Sequence, residues 1–177
     1  MPKPLESLPA DTVSDMLPFK YMNPEELDQF LSRMECEEYE QNELIIQEGD
    51  LHPYLYLIIA GTATVNVGEP GGNDVYVSAI GEGEIFGEAG IFLNVRRTAN
   101  VVSVDTTRVA RIHRDQLLAF IRQYPATGIK ILMTIIYSLL RKLRESNMEL
   151  AYERKNVMAQ DDIDDIVASV MREAADE

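Results

Sequence analysis

The chain has 177 residues, 46% of them hydrophobic, and carries 30 acids against 16 bases for a formal net charge of −14. That excludes wholesale disorder and a general DNA- or RNA-binding surface, which needs a basic footprint to neutralise phosphates. One cysteine, Cys36, and two histidines, His52 and His113, exclude an internal disulfide and a Cys-ligated metal centre.

Residues 1–10 contain prolines and read as an irregular lead, with a short helix near 11–17. Asn23-Pro24-Glu25-Glu26 is a helix start: Asn23 caps, Pro24 takes the first helical position, and Glu26 stands three residues after the cap. Leu27, Phe30, Leu31 and Met34 follow at helical spacing.

From about Cys36 to Ile112 the pattern changes to short β runs punctuated by turns. Runs at 44–46, 54–60, 62–67, 75–80, 98–104 and 107–112 are separated by Gly49, Gly61, the 68–74 turn and Gly81-Glu82-Gly83. Short strands at this spacing predict an all-β sandwich or barrel. A short helix at 115–124 stops before Pro125, and 126–158 forms a long helix of about 50 Å. In it Ile129, Ile136, Leu143, Leu150 and Val157 recur every seven residues, with Leu132 and Leu139 three places on, an a/d seam that points to a homodimer. Residues 159–177 read as a separate acidic, amphipathic tail helix.

The charge is uneven. Residues 1–50 carry a net −10 and residues 161–177 a net −6, whereas 51–125 are close to neutral and their bases are all arginine. Arginine presents a planar fork suited to an anion.

The stretch with chemical content is Ile85-Phe86-Gly87-Glu88-Ala89-Gly90-Ile91, followed by Arg97-Thr98-Ala99. Gly87 and Gly90 let backbone approach a ligand closely. Small residues opening a helical turn aim free N–H groups at an anion. Arg97 supplies a guanidinium fork, Glu88 an acceptor for sugar hydroxyls, and Thr98 a hydroxyl beside the arginine. This set fits a phosphorylated sugar, and no catalytic residues or metal ligands accompany it.

These residues resemble the cyclic nucleotide-binding domain of catabolite activator (Crp-Fnr) proteins and of protein kinase A regulatory subunits. The family's phosphate-binding cassette reads Phe-Gly-Glu-x-(Ala/Gly)-(Leu/Ile), then Arg-(Ser/Thr/Ala)-Ala. Residues 86–91 and 97–99 fit each position, and Ile45-Ile46-x-x-Gly49-Asp50 with Gly61 matches an upstream family pattern. His52 departs from the small residue usual there, in a turn expected to lie away from ligand.

The resemblance implies an α+β fold: an antiparallel β-roll (a double-stranded β-helix or jelly roll) flanked by N-terminal helices and a long C-terminal helix. It divides the chain into a lead (1–20), a ligand-binding roll (21–125), a dimerisation and lid helix (126–158) and the tail (159–177). It implies ligand contacts from Phe86, Gly87, Glu88, Ala89, Gly90, Arg97, Thr98 and Ala99. Glu88 would hold the ribose 2′-hydroxyl, and Arg97 the cyclic phosphate with backbone N–H groups near Ala89, Gly90 and Ala99. Ser146 and Asn147, polar on an apolar seam, would meet the purine. In this family a threonine at the Thr98 position goes with better acceptance of guanine.

The implied function is a non-enzymatic cAMP or cGMP sensor without a cofactor. It would signal through the helix to an effector protein, without direct DNA or membrane binding, in the cytoplasm. The alternative is a ligand-independent scaffold that docks through its acidic tail.

Overall fold

The structure is a computed structural model that describes residues 3–5, 8–68, 72, 74–93 and 95–173, with side chains through Tyr152 apart from that of Leu5. The chain divides into two compact units, Met1–Ile136 and Tyr137–Glu177.

The first unit holds nine strands in two antiparallel sheets among the described residues. One sheet has the order β1 (Lys3–Leu5), β2 (Glu35–Tyr39), β9 (Thr107–His113), β4 (Tyr54–Ala60) and β7 (Ile85–Phe86). The other has the order β3 (Leu44–Ile46), β8 (Asn100–Ser103), β5 (Ala63–Gly68) and β6 (Asp74–Ile80). Helices α1 (Ala10–Val13) and α2 (Pro24–Leu31) precede most of the strands. α3 (Glu88–Phe92) interrupts them, and α4 (Arg114–Gln123) and α5 (Pro125–Glu173) follow. The expected β-roll with flanking helices is therefore the observed fold.

Strand β4 explains how two cores coexist. Its run Tyr54-Leu55-Tyr56-Leu57-Ile58-Ile59-Ala60 is apolar throughout because both of its faces are covered. Leu55, Leu57 and Ile59 pack with Phe30, Phe120 and Ile131 in a core beneath the helices. Tyr56 and Ile58 point the other way, into an inter-sheet core with Phe86, Val101 and Val109. At its end Gly61 takes φ +89.

The helix start at Asn23 forms as its residues dictate. The Asn23 Oδ1 accepts from the Glu26 N–H (2.8 Å) while a Glu26 carboxylate oxygen accepts from the Asn23 N–H (2.9 Å). The same carboxyl group accepts from the Thr127 hydroxyl and from Lys130 Nζ (3.3 Å), which ties α2 to the root of α5. Thr127 and Ile131 are buried there, with Ile135 one turn on.

Strands β2 and β7 fall outside the six expected runs, and two further features differ from the sequence reading. Lys3–Leu5 is a strand paired to β2, not irregular. Three residues with a proline give no local signal, and the open edge of β2 selects them, an edge being where proline is tolerated. Second, α5 runs unbroken through the expected boundary at 158/159. No Pro or Gly follows Gly128, so nothing local ends the helix. The expected apolar faces at Val157 and in 159–177 lie outside the residues whose side chains are described. In the second unit Leu139, Leu140, Leu143, Met148 and Leu150 are exposed along α5, and Arg141 faces Glu145 at 4.0 Å.

Candidate functional site

The chain leaves β7 at Phe86 and turns at Gly87, whose φ of +82° a side chain would oppose. It then enters α3. Gly87 has no side chain with which to cap this helix. Glu88 sits in the first turn and is buried.

Arg97 arrives from the other side of the site. The turn after β3 fixes its backbone: the Gly49 N–H donates to the Arg97 carbonyl (2.8 Å), and the Arg97 N–H donates to the Asp50 carbonyl (2.9 Å). Arg96 Nη1 also donates to the Gly49 carbonyl (2.8 Å). The upstream Gly49-Asp50 pattern and the Arg97 motif are thus two halves of one substructure, although nearly fifty residues separate them.

The Arg97 side chain is only 6% exposed. Nη1 donates to the Gly87 carbonyl (2.8 Å); Nη2 donates to the carbonyls of His52 (2.5 Å) and Tyr54 (2.8 Å). The guanidinium carbon lies 5.4 Å from the centroid of the Tyr56 ring. Nε is buried and has no hydrogen-bond partner. Burial pulls the Arg97 pKa down, and the fields of Tyr56, Glu88 and Asp50 oppose that pull. Since a guanidinium keeps its proton in proteins, a full positive charge stands here, held by neutral carbonyl dipoles and with its Nε–H left without a partner.

The structure brings together most of the residues singled out in the sequence. Gly87, Glu88 and Gly90 surround Arg97, and a Cβ at Gly87 would come within 2.9 Å of Arg97 Nη1. Ala89 and Thr98 are exposed beside it, and Ala99 is half-buried. Phe86 lies beneath, stacked on Tyr56 at 5.0 Å and 3% exposed, as a core residue supporting the turn. Ser146 and Asn147 are exposed on α5 in the second unit; Asn147 shares a shallow groove there with Leu140, Leu143 and Met148.

The partners that sequence reasoning missed are backbone carbonyls. The His52 imidazole points to solvent beside Asp50 (3.6 Å), yet its carbonyl takes Arg97. A carbonyl leaves no trace in residue identity, so only the closure of the 49–54 turn against the cassette reveals it. Among the described residues no cluster of His, Cys, Asp and Glu is placed to hold a metal ion, and no helix is long and apolar enough to cross a membrane.

Comparison with known proteins agrees with this geometry. The "Cyclic AMP receptor protein" of Thermus thermophilus is 33% identical over 132 residues, covering 75% of this chain and 59% of the relative. The chain thus spans about three fifths of that relative's length. A solved cyclic nucleotide-binding domain from Methylobacillus flagellatus superposes with a TM-score of 0.73 at 26% identity, covering 82% of this chain and 85% of that one. The regulatory domain of Toxoplasma gondii protein kinase A, solved with cAMP, shares the fold at a TM-score of 0.54 and 24% identity, over 62% of this chain and 42% of that one. The model of the cyclic nucleotide-binding domain matches residues 36–124, half of this chain, with the caged Arg97 inside it, and the chain belongs to that family.

Proposed function

We propose that this chain binds cAMP or cGMP through Gly87, Glu88, Ala89, Gly90, Arg97, Thr98 and Ala99, and acts as a regulatory sensor rather than an enzyme. The observation that carries this is Arg97: a buried guanidinium with an unpartnered Nε–H, packed against Gly87 and Gly90 at the start of α3. Buried polar groups in native proteins are almost always satisfied, so an orphan donor on a buried cation marks a place for an anion. The named ligand of the Thermus relative and the cAMP of the Toxoplasma structure support a cyclic nucleotide as that anion.

The cyclic phosphate would accept from Arg97 and from the N–H groups at the start of α3, while Glu88 would accept from the ribose. A charge pair about 4 Å apart is worth roughly 4 kcal/mol at an effective dielectric of 20. Acids farther from the site than a Debye length of about 8 Å would be largely screened. Ligand binding would shift α5, with Ser146 and Asn147 meeting the purine. The exposed Ile129, Ile136, Leu139 and Leu143 would seat a second copy of this chain, and an effector protein would read the change.

Titration calorimetry with cAMP and with cGMP tests the reading. Arg97→Ala is expected to lose about 1.5–3 kcal/mol of binding free energy with its fold intact. Unchanged affinity in that variant overturns it.

A further inference from the structure

One face of the first sheet carries a continuous line of side chains from β2 to the cassette. Arg111 on β9 stands opposite Glu35 on β2 and beside Tyr56 on β4. Its Nε and Nη2 donate to one Glu35 oxygen (2.9 and 2.8 Å), and Nη2 also reaches Glu37 (2.9 Å). The Tyr39 hydroxyl donates to Glu37 (2.7 Å) and holds that carboxylate. Although burial lowers the Arg111 pKa, the Glu35 hydrogen bond and the fields of Glu37 and Glu35 outweigh it, and the net shift is upward. Arg111 is therefore a plate held in place by two carboxylates.

That plate lies on Tyr54. The Arg111 guanidinium carbon is 4.7 Å from the centroid of the Tyr54 ring, and His113 closes the ring's side edge-on at 5.2 Å. Tyr54 is the residue whose carbonyl receives Arg97 Nη2. A ring clamped by a guanidinium and an imidazole has little freedom, and neither has the peptide that carries it. Both partners are half-buried, so the cation–π contact is only partly shielded from water.

We propose that Arg111 is a positioning residue of the ligand site: anchored by Glu35 and Glu37, it holds Tyr54 so that the Tyr54 carbonyl sets the direction of the Arg97 guanidinium. Arg111 touches no ligand, and its effect passes through Arg97 alone. The inference rests on the ligand-binding reading above for its affinity arm but not for its spectroscopic arm.

The test uses Arg111→Met, which keeps the bulk and removes the fork, with Tyr54→Leu as a second variant and thermal unfolding to verify folding. In the ligand-free protein, NMR of the arginine Nε–H groups, with the Arg97 signal identified by its loss in Arg97→Lys, should show a single sharp Arg97 resonance that shifts or broadens in both variants. With cAMP or cGMP as probe, Arg111→Met should weaken binding about tenfold. The same substitution should change nothing further in an Arg97→Ala background, and Arg111→Lys should recover part of the loss. An unaltered Arg97 resonance in Arg111→Met overturns the proposal, and so does an equal loss of affinity in the Arg97→Ala background. If the wild type binds neither nucleotide, the sensor reading fails while the Arg97 resonance still decides this one.

Discussion

Gly90 and Arg97 occupy the same space: a Cβ built on Gly90 would stand 2.5 Å from Arg97 Nη1 and 2.7 Å from its guanidinium carbon. The glycine in the cassette is what lets the arginine fold inward onto three carbonyls. Gly90→Ala is expected to push the guanidinium off at least one of them and destabilise the ligand-free protein by about 1–3 kcal/mol, read from urea unfolding. A variant as stable as the wild type would mean that Arg97 has another equally good seat.

Thr98 is exposed next to Arg97, and its hydroxyl matters only if it meets the base. Thr98→Ala is expected to weaken cGMP binding about tenfold more than cAMP binding. Equal affinity changes for the two nucleotides, measured by competition, would remove Thr98 from purine selection.

Glu26 ties α2 to α5 and predicts an acid transition. The Thr127 hydroxyl, then the Asn23 N–H and Lys130, hold the Glu26 pKa below the ordinary carboxylate value. A depressed folded-state pKa gives stability that is present above the unfolded value and is lost as pH falls through the folded one. The wild type should thus lose stability between about pH 5 and pH 3 by more than Glu26→Gln does. Parallel curves of urea midpoint against pH for the two proteins would contradict this.

Gly61 is a tightly constrained turn in the roll. It takes φ +89, and a Cβ there would lie 2.7 Å from the Thr106 carbonyl oxygen and 2.9 Å from the Thr107 Cα. Gly61→Ala is expected to cost about 2–4 kcal/mol, combining left-handed strain with a backbone clash. A shift in thermal midpoint of under a degree would show that the turn can reorganise.

The exposed apolar line on α5 predicts self-association. Leu143 is 58% exposed and sits at the centre of the heptad pattern. Leu143→Glu should move the sedimentation profile from dimer to monomer and leave the roll's unfolding unchanged, because Leu143 belongs to the second unit. A wild type that sediments as a monomer at all concentrations would refute the seam.

Much was legible in local pattern. The glycine-punctuated strands, the Asn23 capping box and the cassette residues each depend on a few neighbours in the chain, so their signals survive without tertiary context. The β1 strand did not announce itself, because three residues around Pro4 acquire their conformation from the β2 edge they pair with. Nor did the uninterrupted α5, whose acidic stretch at 161–165 suits a helix interior without a breaker as well as it suits a new start.

For the site, the amino-acid sequence by itself determined the chemistry: one guanidinium, one carboxylate, two glycines and a hydroxyl at spacings that fit a phosphorylated sugar. Only the tertiary structure decided where the guanidinium points. Its partners are the carbonyls of Gly87, His52 and Tyr54, and its seat beneath them depends on Gly90 and on a second arginine fourteen residues away. Every residue carries a carbonyl, so residue identity cannot say which ones converge; that follows only when the Gly49-Asp50 turn closes on Arg97 and the sheet brings Arg111 over Tyr54.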